Sequence, residues 1–318
     1  MNVSFHTEHL GLRGVEVSVY DYAKYNEEIL NNTSVIFSQK NGDLKAYDKF
    51  SNRFEVVLYE DFKDLQFEID KRNIEVAYFQ KAGKYDGKIL KNCKNVVHSV
   101  FQLYEPHGDV YGYISEWLTN KMTNGKYPFV PYIVDILNYD NNLDYREVLN
   151  IPKDAMVYGY YGGNDSFSIP FAKKAVYDIA KSNKNIYFLF MNVDVFCEEL
   201  ENILHIEGTH DFDKKISFIN TCDACIHARN GGESFGLTVA EFSVKNKPVI
   251  TSTYGTLFFN DLAHIDMLKD KAIIYNDYST LVNILTNLSK YDIMNKNWNA
   301  YAEYTPSKVM NQFKEKFL

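Results

Sequence analysis

Strand-sized apolar runs alternate with helical patterns along the 318-residue chain, and this alternation constrains the fold more than any other feature. Runs such as Phe54–Tyr59, Ile186–Met191 and Tyr127–Pro131 have the length of a strand, whereas Val15–Asn31 and the shorter Leu143–Leu149 have helical spacing. Chains with this pattern fold into parallel sheets built from strand–helix–strand units. We therefore predict an α/β protein, and the length suits two domains of about 150 residues each.

The pattern restarts once, so the chain has two similarly organised halves. Each half opens with a strand, a loop that carries two glycines and an amphipathic helix, and the two loops are Gly11–Gly14 and Gly162–Gly163. Between the halves lies a polar stretch without periodicity, Asn138–Asn142, which is typical of a linker. We predict two facing Rossmann-like domains with parallel sheets and an inter-domain cleft, in which ligands bind at the carboxyl ends of the strands.

The domain boundaries follow from the linker and from the last helical pattern. We expect an N-terminal domain at residues 1–140, a C-terminal domain at residues 141–300 and a helix at residues 301–318. The last helix has an apolar face that includes Phe313 and Phe317. We expect this face to pack back on the N-terminal domain, with contact to a membrane surface as the alternative.

Composition excludes several classes of function. The formal net charge of -8 argues against a broad nucleic-acid-binding face, because neutralising phosphates requires clustered Lys and Arg. No run approaches the ~18–20 uninterrupted apolar residues of a spanning helix, and the N-terminal residues do not form a secretion signal. We therefore expect a cytoplasmic protein with at most peripheral membrane contact and no nucleic-acid partner.

The four cysteines are expected to be reduced thiols in that compartment. Cys222 and Cys225 have the C-x-x-C spacing of redox and zinc sites. No second pair accompanies them to complete a zinc site, and they straddle a helix-to-strand junction. We therefore expect buried structural thiols.

The most informative stretch runs from His227 to Ile250. A strand ends at His227, a loop with Gly231 and Gly232 follows, and a helix begins near Ser234. A strand–loop–helix junction gathers free backbone N–H groups and the positive end of a helix at one place, which suits a diphosphate.

Two carboxylates and three amides stand out in this stretch. The amides of Phe235, Gly236 and Leu237 would hold the diphosphate, and Gly236 would let the ligand approach closely. Glu233 lies in the loop, and Glu241 lies two helical turns further on, near the same face. The two carboxylates are therefore placed to bind opposite ends of an elongated ligand.

The run Glu233-Ser-Phe-Gly-Leu-Thr-Val-Ala-Glu241 is similar to the E-x7-E motif of GT-B retaining glycosyltransferases, and it resembles most that of glycosyltransferase family 4, also called glycosyl transferases group 1. Residues Asn246–Thr251 resemble the G-x-P-V-I strand of that family, with Asn-Lys where glycine is commoner. Residues Leu149–Gly159 and Val110–Glu116 resemble the start of its C-terminal domain and the end of its N-terminal domain. The resemblance thus extends over nearly the whole chain.

The resemblance implies a role for each matching position. Glu233 would hydrogen-bond hydroxyls of the donor sugar, and Glu241 would bind the ribose hydroxyls of the nucleotide. His98, at the end of a strand, would face the transferred sugar. Glu16 would begin the helix behind the first glycine loop. The remaining donor-binding positions are loop residues and helix-start residues, namely Ser234, Phe235, Gly236, Leu237, Gly162, Gly163, Gly11 and Gly14.

One departure from the family concerns the charge of the leaving group. Family members usually place an Arg and then a Lys just after the first strand of the C-terminal domain, whereas Gly162–Phe167 carries no cation. The charge that develops on a leaving diphosphate must be stabilised. The candidate cations are Arg229, Arg13, Lys173 and Lys174, of which we prefer Arg229 for its proximity to Glu233. Without such a cation the chain would bind a ligand and not catalyse.

Other polar residues have competing interpretations. Asp211 and Asp213 have the D-x-D form with which other glycosyltransferases hold a metal, but their position before a helix favours N-capping. No group of His, Cys and Asp has the spacing of a metal site. His98 is either donor-facing or a core histidine, and His6 and His9 are either acceptor contacts or simple loop residues. We expect no metal, and no cofactor besides a nucleotide-sugar co-substrate.

These observations predict a glycosyltransferase that transfers a sugar from a nucleotide-diphosphate sugar to a glycan, a lipid-linked or another hydroxyl acceptor. The resemblance implies retention of anomeric configuration and no metal requirement. The alternative is a non-catalytic nucleotide-sugar binding protein of the same fold. A Rossmann oxidoreductase would need G-x-G-x-x-G after a first strand, and neither glycine loop supplies it.

Overall fold

The computed structural model describes residues 1–136 and 141–318. The described chain divides into two compact units, residues Met1–Ile133 with Glu303–Leu318, and residues Val134–Ala302. The boundary predicted after residue 140 lies outside the described residues, as does most of the linker predicted at Asn138–Asn142.

The first unit is a six-stranded parallel sheet flanked by helices. The strand order is β3-β2-β1-β4-β5-β6. The strands are β1 (Asn2–Thr7), β2 (Thr33–Gln39), β3 (Glu55–Tyr59), β4 (Val76–Lys81), β5 (Lys94–Ser99) and β6 (Val110–Tyr113). The helices are α1 (Gly14–Glu28), α2 (Tyr47–Ser51), α3 (Leu65–Lys71), α4 (Glu116–Thr123) and the C-terminal helix (Pro306–Phe317).

Burial on both faces of the central strands explains their sequence. In β1 every residue after Asn2 is buried, which is the pattern of a parallel strand covered by helices on both sides. One cover is the C-terminal helix, whose Phe313 ring lies 5.3 Å from the ring of Tyr78 on β4 and 5.1 Å from that of Tyr22 on α1. The last helix therefore completes the core of the first unit.

The second unit is also built on a six-stranded parallel sheet, in the order β14-β12-β10-β7-β8-β9, with β11 and β13 paired separately. The strands are β7 (Met156–Tyr161), β8 (Ile186–Met191), β9 (Ile203–Ile206), β10 (Ala224–Ile226), β11 (Gly232–Glu233), β12 (Val249–Thr251), β13 (Asp261–Leu262) and β14 (Ala272–Ile274). The helices are α5 (Pro170–Ser182), α6 (Phe212–Thr221), α7 (Leu237–Val244), α8 (Ala263–Leu268), α9 (Tyr278–Asn287) and α10 (Lys290–Met294).

The strand order of the second unit fixes where a ligand can bind. The chain leaves β7 toward β8 and β9 on one side and returns to β10 on the other, so the order reverses between β7 and β10. In open α/β sheets, ligands bind outside the carboxyl ends of the strands at this reversal. The loops that follow β7 and β10 meet here, since the N–H of Ser168 donates to the carbonyl of Ala228 at 2.8 Å.

The α/β architecture with parallel sheets is as predicted, but three predicted elements are wrong. Residues Tyr127–Pro131 do not form a strand, and Phe129 makes a single bridge to Tyr113, because the prolines at 128 and 131 lack the N–H that a ladder needs. The helix predicted at Leu143–Leu149 is replaced by turns at 146–150, since so short a polar segment nucleates a helix poorly. The helix predicted near Ser234 begins three residues later.

Candidate functional site

The loop between β10 and α7 is shaped by three glycines with left-handed backbone. The φ angles are 96° at Gly231, 66° at Gly232 and 85° at Gly236, values that side chains with a Cβ rarely adopt. Gly236 is the N-cap of α7, so its left-handed backbone turns the chain directly before the helix begins at Leu237. The N–H groups of that first turn, which begins at Leu237, have no acceptor within the helix itself.

Glu233 lies at the centre of this loop and is held by two neighbours. Its Oε2 accepts a hydrogen bond from Nη1 of Arg229 at 2.8 Å, and its Oε1 lies 3.3 Å from Nε2 of His227. The Glu233 side chain is 14% exposed, whereas that of Arg229 is 42% exposed. The carboxylate is therefore fixed in orientation and still reachable from solvent.

The electrostatics keep Glu233 ionised. Burial alone would raise the pKa of this carboxyl, but the Arg229 guanidinium and the hydrogen bond from His227 outweigh it and lower the pKa to about 2. The same ion pair raises the pKa of Arg229. A permanently ionised carboxylate accepts hydrogen bonds and does not donate them, which suits recognition of hydroxyl groups.

A buried hydrogen-bond network of His227, Thr251 and His264 packs against the loop that carries Glu233. The Nδ1 of His227 lies 2.8 Å from the Thr251 hydroxyl, which also lies 3.1 Å from Nε2 of His264. Burial lowers the pKa of His264 to about 3, so this ring is neutral. No role is predicted from the sequence for His264 or Thr251, although Thr251 ends the strand that resembles the G-x-P-V-I strand of family 4.

Glu241 lies on α7 and is held from two other elements. Its Oε1 lies 2.5 Å from Nζ of Lys215 on α6, and its Oε2 accepts a hydrogen bond from the hydroxyl of Tyr161, the last residue of β7. The hydroxyl of Thr238 on α7 donates to the Tyr161 carbonyl at 2.8 Å. Glu241 is 4% exposed. The carboxylate predicted to bind the ribose hydroxyls is therefore hydrogen-bonded to Lys215 and Tyr161 in this structure.

The second glycine loop continues directly from Tyr161. The amide of Asn192 donates to the Gly162 carbonyl at 2.5 Å, and the Ser166 hydroxyl donates to the Gly163 carbonyl at 2.5 Å. These bonds place both glycines at the carboxyl end of β7. The predicted donor loops, Gly162–Gly163 and Gly231–Leu237, thus lie in the same unit on either side of the strand-order reversal.

The two lysines proposed as replacement cations, Lys173 and Lys174, lie on helix α5 and not beside Glu233. Lys173 and Lys174 line a shallow groove of about 380 Å³ on α5 together with Phe196 and Glu198. Lys174 is already paired with Asp178 one turn along the helix. The structure therefore brings Arg229 to Glu233 as predicted, but places these two lysines in a groove of their own.

The first glycine loop follows β1 in the first unit. It is tied to the loop after β2, because the N–H of Leu10 donates to the Asp43 carbonyl at 2.7 Å and Nδ1 of His9 accepts from the Asp43 N–H at 3.1 Å. Helix α1 begins at Gly14, with Arg13 as its N-cap. Gly11, Arg13 and Gly14 therefore lie at the carboxyl end of β1, beside the strand-order reversal of this unit.

The donor-facing interpretation of His98 is wrong in this structure. His98 is fully buried, its Nδ1 lies 2.6 Å from the Tyr78 hydroxyl, and its ring lies 4.9 Å from that of Phe317. Burial lowers its pKa to about 3, so the ring is neutral. His98 faces the C-terminal helix, which makes it a core histidine. His6 is likewise buried, with its ring stacked 4.2 Å from that of Phe79.

The metal and redox alternatives find no support in the part of the chain that the structure describes. Asp211 is the N-cap of α6, and its Oδ1 accepts from the N–H of Asp213 at 3.0 Å, which confirms the capping interpretation. Within residues 1–136 and 141–318 no cluster of three His, Cys, Asp or Glu could hold a metal ion. Cys222 and Cys225 are free, buried thiols, and burial raises the pKa of each.

Solved structures share this architecture. HepE of Anabaena, solved with UDP and glucose, aligns with a TM-score of 0.72 at 12% identity over 99% of this chain and 98% of HepE. A glycosyltransferase of Rickettsia africae aligns with a TM-score of 0.68 at 14% identity over 98% of this chain and 94% of its own. A Listeria monocytogenes protein assigned as a UDP-N-acetylglucosamine 2-epimerase aligns with a TM-score of 0.62 at 10% identity over 98% and 94% of the two chains.

These likenesses confirm the predicted fold class, in which each of two units has a parallel α/β sheet as in GT-B proteins. No protein-family model and no curated protein sequence matches the chain. Among the described residues, no helix combines the length and apolar character needed to cross a bilayer. The chemistry of this chain therefore has to be argued from its own residues.

Proposed function

We propose that this protein is a glycosyltransferase that transfers a sugar from a nucleotide-diphosphate sugar to a hydroxyl acceptor, with retention of anomeric configuration and without a metal. The observation that carries the proposal is the ionised Glu233, fixed by Arg229 and His227 where the strand order of the second unit reverses. A partly exposed carboxylate at this place is suited to bind the hydroxyls of a sugar ring.

The rest of the donor has complementary partners in the same unit. The first turn of α7 offers backbone N–H groups and the positive end of a helix to the diphosphate. Glu241, eight residues after Glu233, is the candidate partner of the ribose hydroxyls. The proposal assigns donor binding to the second unit and recognition of a glycan or lipid-linked acceptor to the first.

Retention is the part of the proposal that rests on the resemblance of the Glu233–Glu241 run to family 4 enzymes. In such a reaction the acceptor oxygen attacks from the face that the diphosphate leaves, so no protein nucleophile is required. The inverting course would need a general base aligned with the acceptor hydroxyl. The anomeric configuration of the product therefore tests this part directly.

The test is turnover and binding across a panel of nucleotide sugars, with Glu233→Ala and Glu241→Ala as variants. We expect the wild type to bind and consume one donor, with NMR of the product showing a retained configuration, and both variants to lose donor affinity at least about tenfold. Unchanged donor affinity in both variants would remove the site assignment. Conversion of a UDP-N-acetyl sugar to its 2-epimer without transfer would instead assign the activity named for the Listeria protein.

One observation favours a second candidate, the non-catalytic nucleotide-sugar binding protein. Arg229, the preferred cation for the leaving diphosphate, already neutralises Glu233 at 2.8 Å. A site without further positive charge would bind a donor and stabilise its departing diphosphate poorly. Glu241-dependent binding with neither transfer nor slow donor hydrolysis would establish this second candidate.

A further inference from the structure

Lys215 is a mostly buried cation that no sequence pattern marks as a site residue. It lies at the end of the first turn of α6, four residues after the N-cap Asp211, and its side chain is 14% exposed. Its Nζ lies 2.5 Å from Oε1 of Glu241 and 5.9 Å from the centre of the Tyr161 ring. The Lys215 ammonium therefore places a positive charge near Tyr161, at the carboxyl end of β7.

The packing of α6 explains why Lys215 reaches this place. The Phe218 ring lies edge-on to the Tyr161 ring at 5.9 Å, and the Cys222 side chain occupies the space that a Cβ at Gly159 would need. Helix α6 thus lies directly over β7. Tyr161 is followed immediately by Gly162, so the Lys215 ammonium lies 5.9 Å from the ring centre of the residue that leads into the loop in which a cation is missing.

The charge balance of this loop requires a cation from elsewhere. Residues Gly162–Phe167 carry one carboxylate, Asp165, and no positive charge. Arg229, Lys174 and Lys215 are each paired with one carboxylate, Glu233, Asp178 and Glu241 respectively. Of the three, Lys215 is the cation whose ion pair also contacts Tyr161, the residue that leads into this loop. Electrostatic stabilisation of developing charge is usually the largest contribution to catalysis, so a diphosphate leaving group at this loop needs a nearby cation.

We propose that Lys215 binds the phosphates of the nucleotide donor and neutralises the diphosphate as it leaves. This inference rests on the proposed function. It supplies the positive charge near the diphosphate whose absence favoured the non-catalytic alternative. An ammonium is a compact point charge that can contact a phosphate while it remains beside a carboxylate. Lys215 thereby links the ribose partner Glu241 to the diphosphate.

The reaction step is balanced as follows. The bond between the anomeric carbon and the phosphate oxygen breaks, and its electron pair stays on the nucleoside diphosphate beside Lys215. The acceptor oxygen forms the new glycosidic bond, and its proton passes to the released diphosphate. Lys215 exchanges no proton or electron in this step, and it stabilises the charge by position alone.

The test separates phosphate binding from positioning of Glu241. Calorimetry compares each nucleoside diphosphate with its own nucleoside, using UDP and uridine, GDP and guanosine, and ADP and adenosine. For the wild type we expect one diphosphate to bind much more tightly than its nucleoside. In Lys215→Gln the diphosphate should weaken about tenfold to hundredfold, while the nucleoside changes by less than about threefold. Lys215→Arg should restore most of the diphosphate affinity.

A second pair of variants avoids leaving Glu241 unpaired and buried. Glu241→Gln retains the ammonium and should keep the preference for diphosphate over nucleoside. The double variant Lys215→Gln with Glu241→Gln removes both charges and should lose that preference. Lys290→Gln, which removes a half-buried lysine that lies 3.8 Å from Asp223 in the same unit, is the matched control and should behave as wild type.

The outcomes are distinguishable. Equal losses for nucleoside and diphosphate in the Lys215 variants would show that Lys215 only positions Glu241, and unchanged diphosphate affinity would show that it has no role. Either result overturns this inference and leaves the proposed function in place. A folded wild type that binds none of the diphosphates or nucleotide sugars would overturn the proposed function itself.

Discussion

The guanidinium of Arg229 and the carboxylate of Glu233 form an ion pair at 2.8 Å. The three residues between them form a turn and the start of β11 rather than a turn of helix. Gly231 and Gly232 lie between the two residues, and both have positive φ angles. Their left-handed backbone curls the loop so that the two side chains meet. The pair keeps the Glu233 carboxylate ionised, and several consequences of this ion pair are measurable.

Replacing Arg229 should make ligand binding sensitive to pH. In Arg229→Gln the burial of Glu233 is no longer offset by the cation, so the pKa of Glu233 rises from about 2. A raised carboxyl pKa means that donor binding weakens as the pH falls toward about 5, whereas the wild type keeps its carboxylate above about pH 4. Donor titrations at several pH values measure this difference.

Arg146→Gln is the matched control for that experiment. Arg146 pairs with Asp223 at 2.8 Å in the same unit, and both side chains are mostly buried. Its loss should destabilise the second unit by roughly 1–3 kcal/mol without introducing a pH dependence of donor binding. A variant Arg229→Gln with a flat pH profile would contradict the role given to this ion pair.

A glycine replacement should separate backbone strain from steric overlap. In Gly232→Ala the new Cβ would overlap the Asp261 carbonyl, and alanine would have to adopt a φ of 66°. We expect the free energy of unfolding to fall by at least about 3 kcal/mol. Gly87→Ala has a similar φ of 74° and meets no atom within 4 Å, so it should cost only about 1 kcal/mol. Thermal unfolding of both variants, followed with donor binding, checks this ranking.

Buried neutral histidines should make the protein less stable in mild acid. The pKa of His98 is lowered to about 3 by burial, so the folded protein does not take up a proton that the unfolded chain binds below about pH 6.5. The contribution of His98 to the free energy of unfolding therefore has its full value above about pH 6.5. As the pH falls from about 6.5 toward 3, this contribution decreases by about 1.4 kcal/mol per pH unit. In His98→Gln the free energy of unfolding should therefore change less steeply with pH, by about 1.4 kcal/mol per pH unit over this range.

The control for this prediction is the exposed His210, which lies just before α6. His210→Gln should leave the pH dependence of unfolding as in the wild type. Melting temperatures between about pH 5 and about pH 7.5 provide the comparison. Equal slopes for His98→Gln and His210→Gln would show that the His98 ring is protonated in the folded protein.

The cysteines should divide into two classes by reactivity. Cys222 and Cys225 are buried with raised pKa values, and thiolates are the reactive form, so an alkylating reagent should leave them unmodified in the native protein. Cys93 and Cys197 are only partly buried and should be modified first, though slowly, because burial raises their pKa values too. Mass spectrometry after brief alkylation distinguishes the two classes, and modification of Cys222 would contradict this view.

Much of the fold could be predicted from the sequence, because parallel strands leave long apolar runs and the glycine loops mark the strand–helix junctions. The predicted strand Ile186–Met191 coincides with β8, and the predicted strand Phe54–Tyr59 differs from β3 by one residue. The site was predictable where its residues are near neighbours in the chain, as Arg229 is to Glu233. It was not predictable where partners are distant, as Tyr161 is from Glu241.

The errors have the same origin. His98 ends a strand, and sequence spacing alone does not show that Phe317, far along the chain, covers its ring. Lys215 follows a capped helix start like many surface lysines, and only the crossing of α6 over β7 brings it to Glu241. Local periodicity determines which face of an element is apolar, whereas the neighbour on that face is set by topology.

The C-terminal helix has a consequence for synthesis. Its Phe313 and Phe317 belong to the core of a unit whose six strands all precede position 134. During translation the whole second unit leaves the ribosome before residues 306–317 do, and domains generally fold as units while they emerge. Of the two units, the one whose synthesis begins first is therefore completed last. The sites on β1 and β4 that Phe313 contacts stay uncovered until residues 306–317 have emerged.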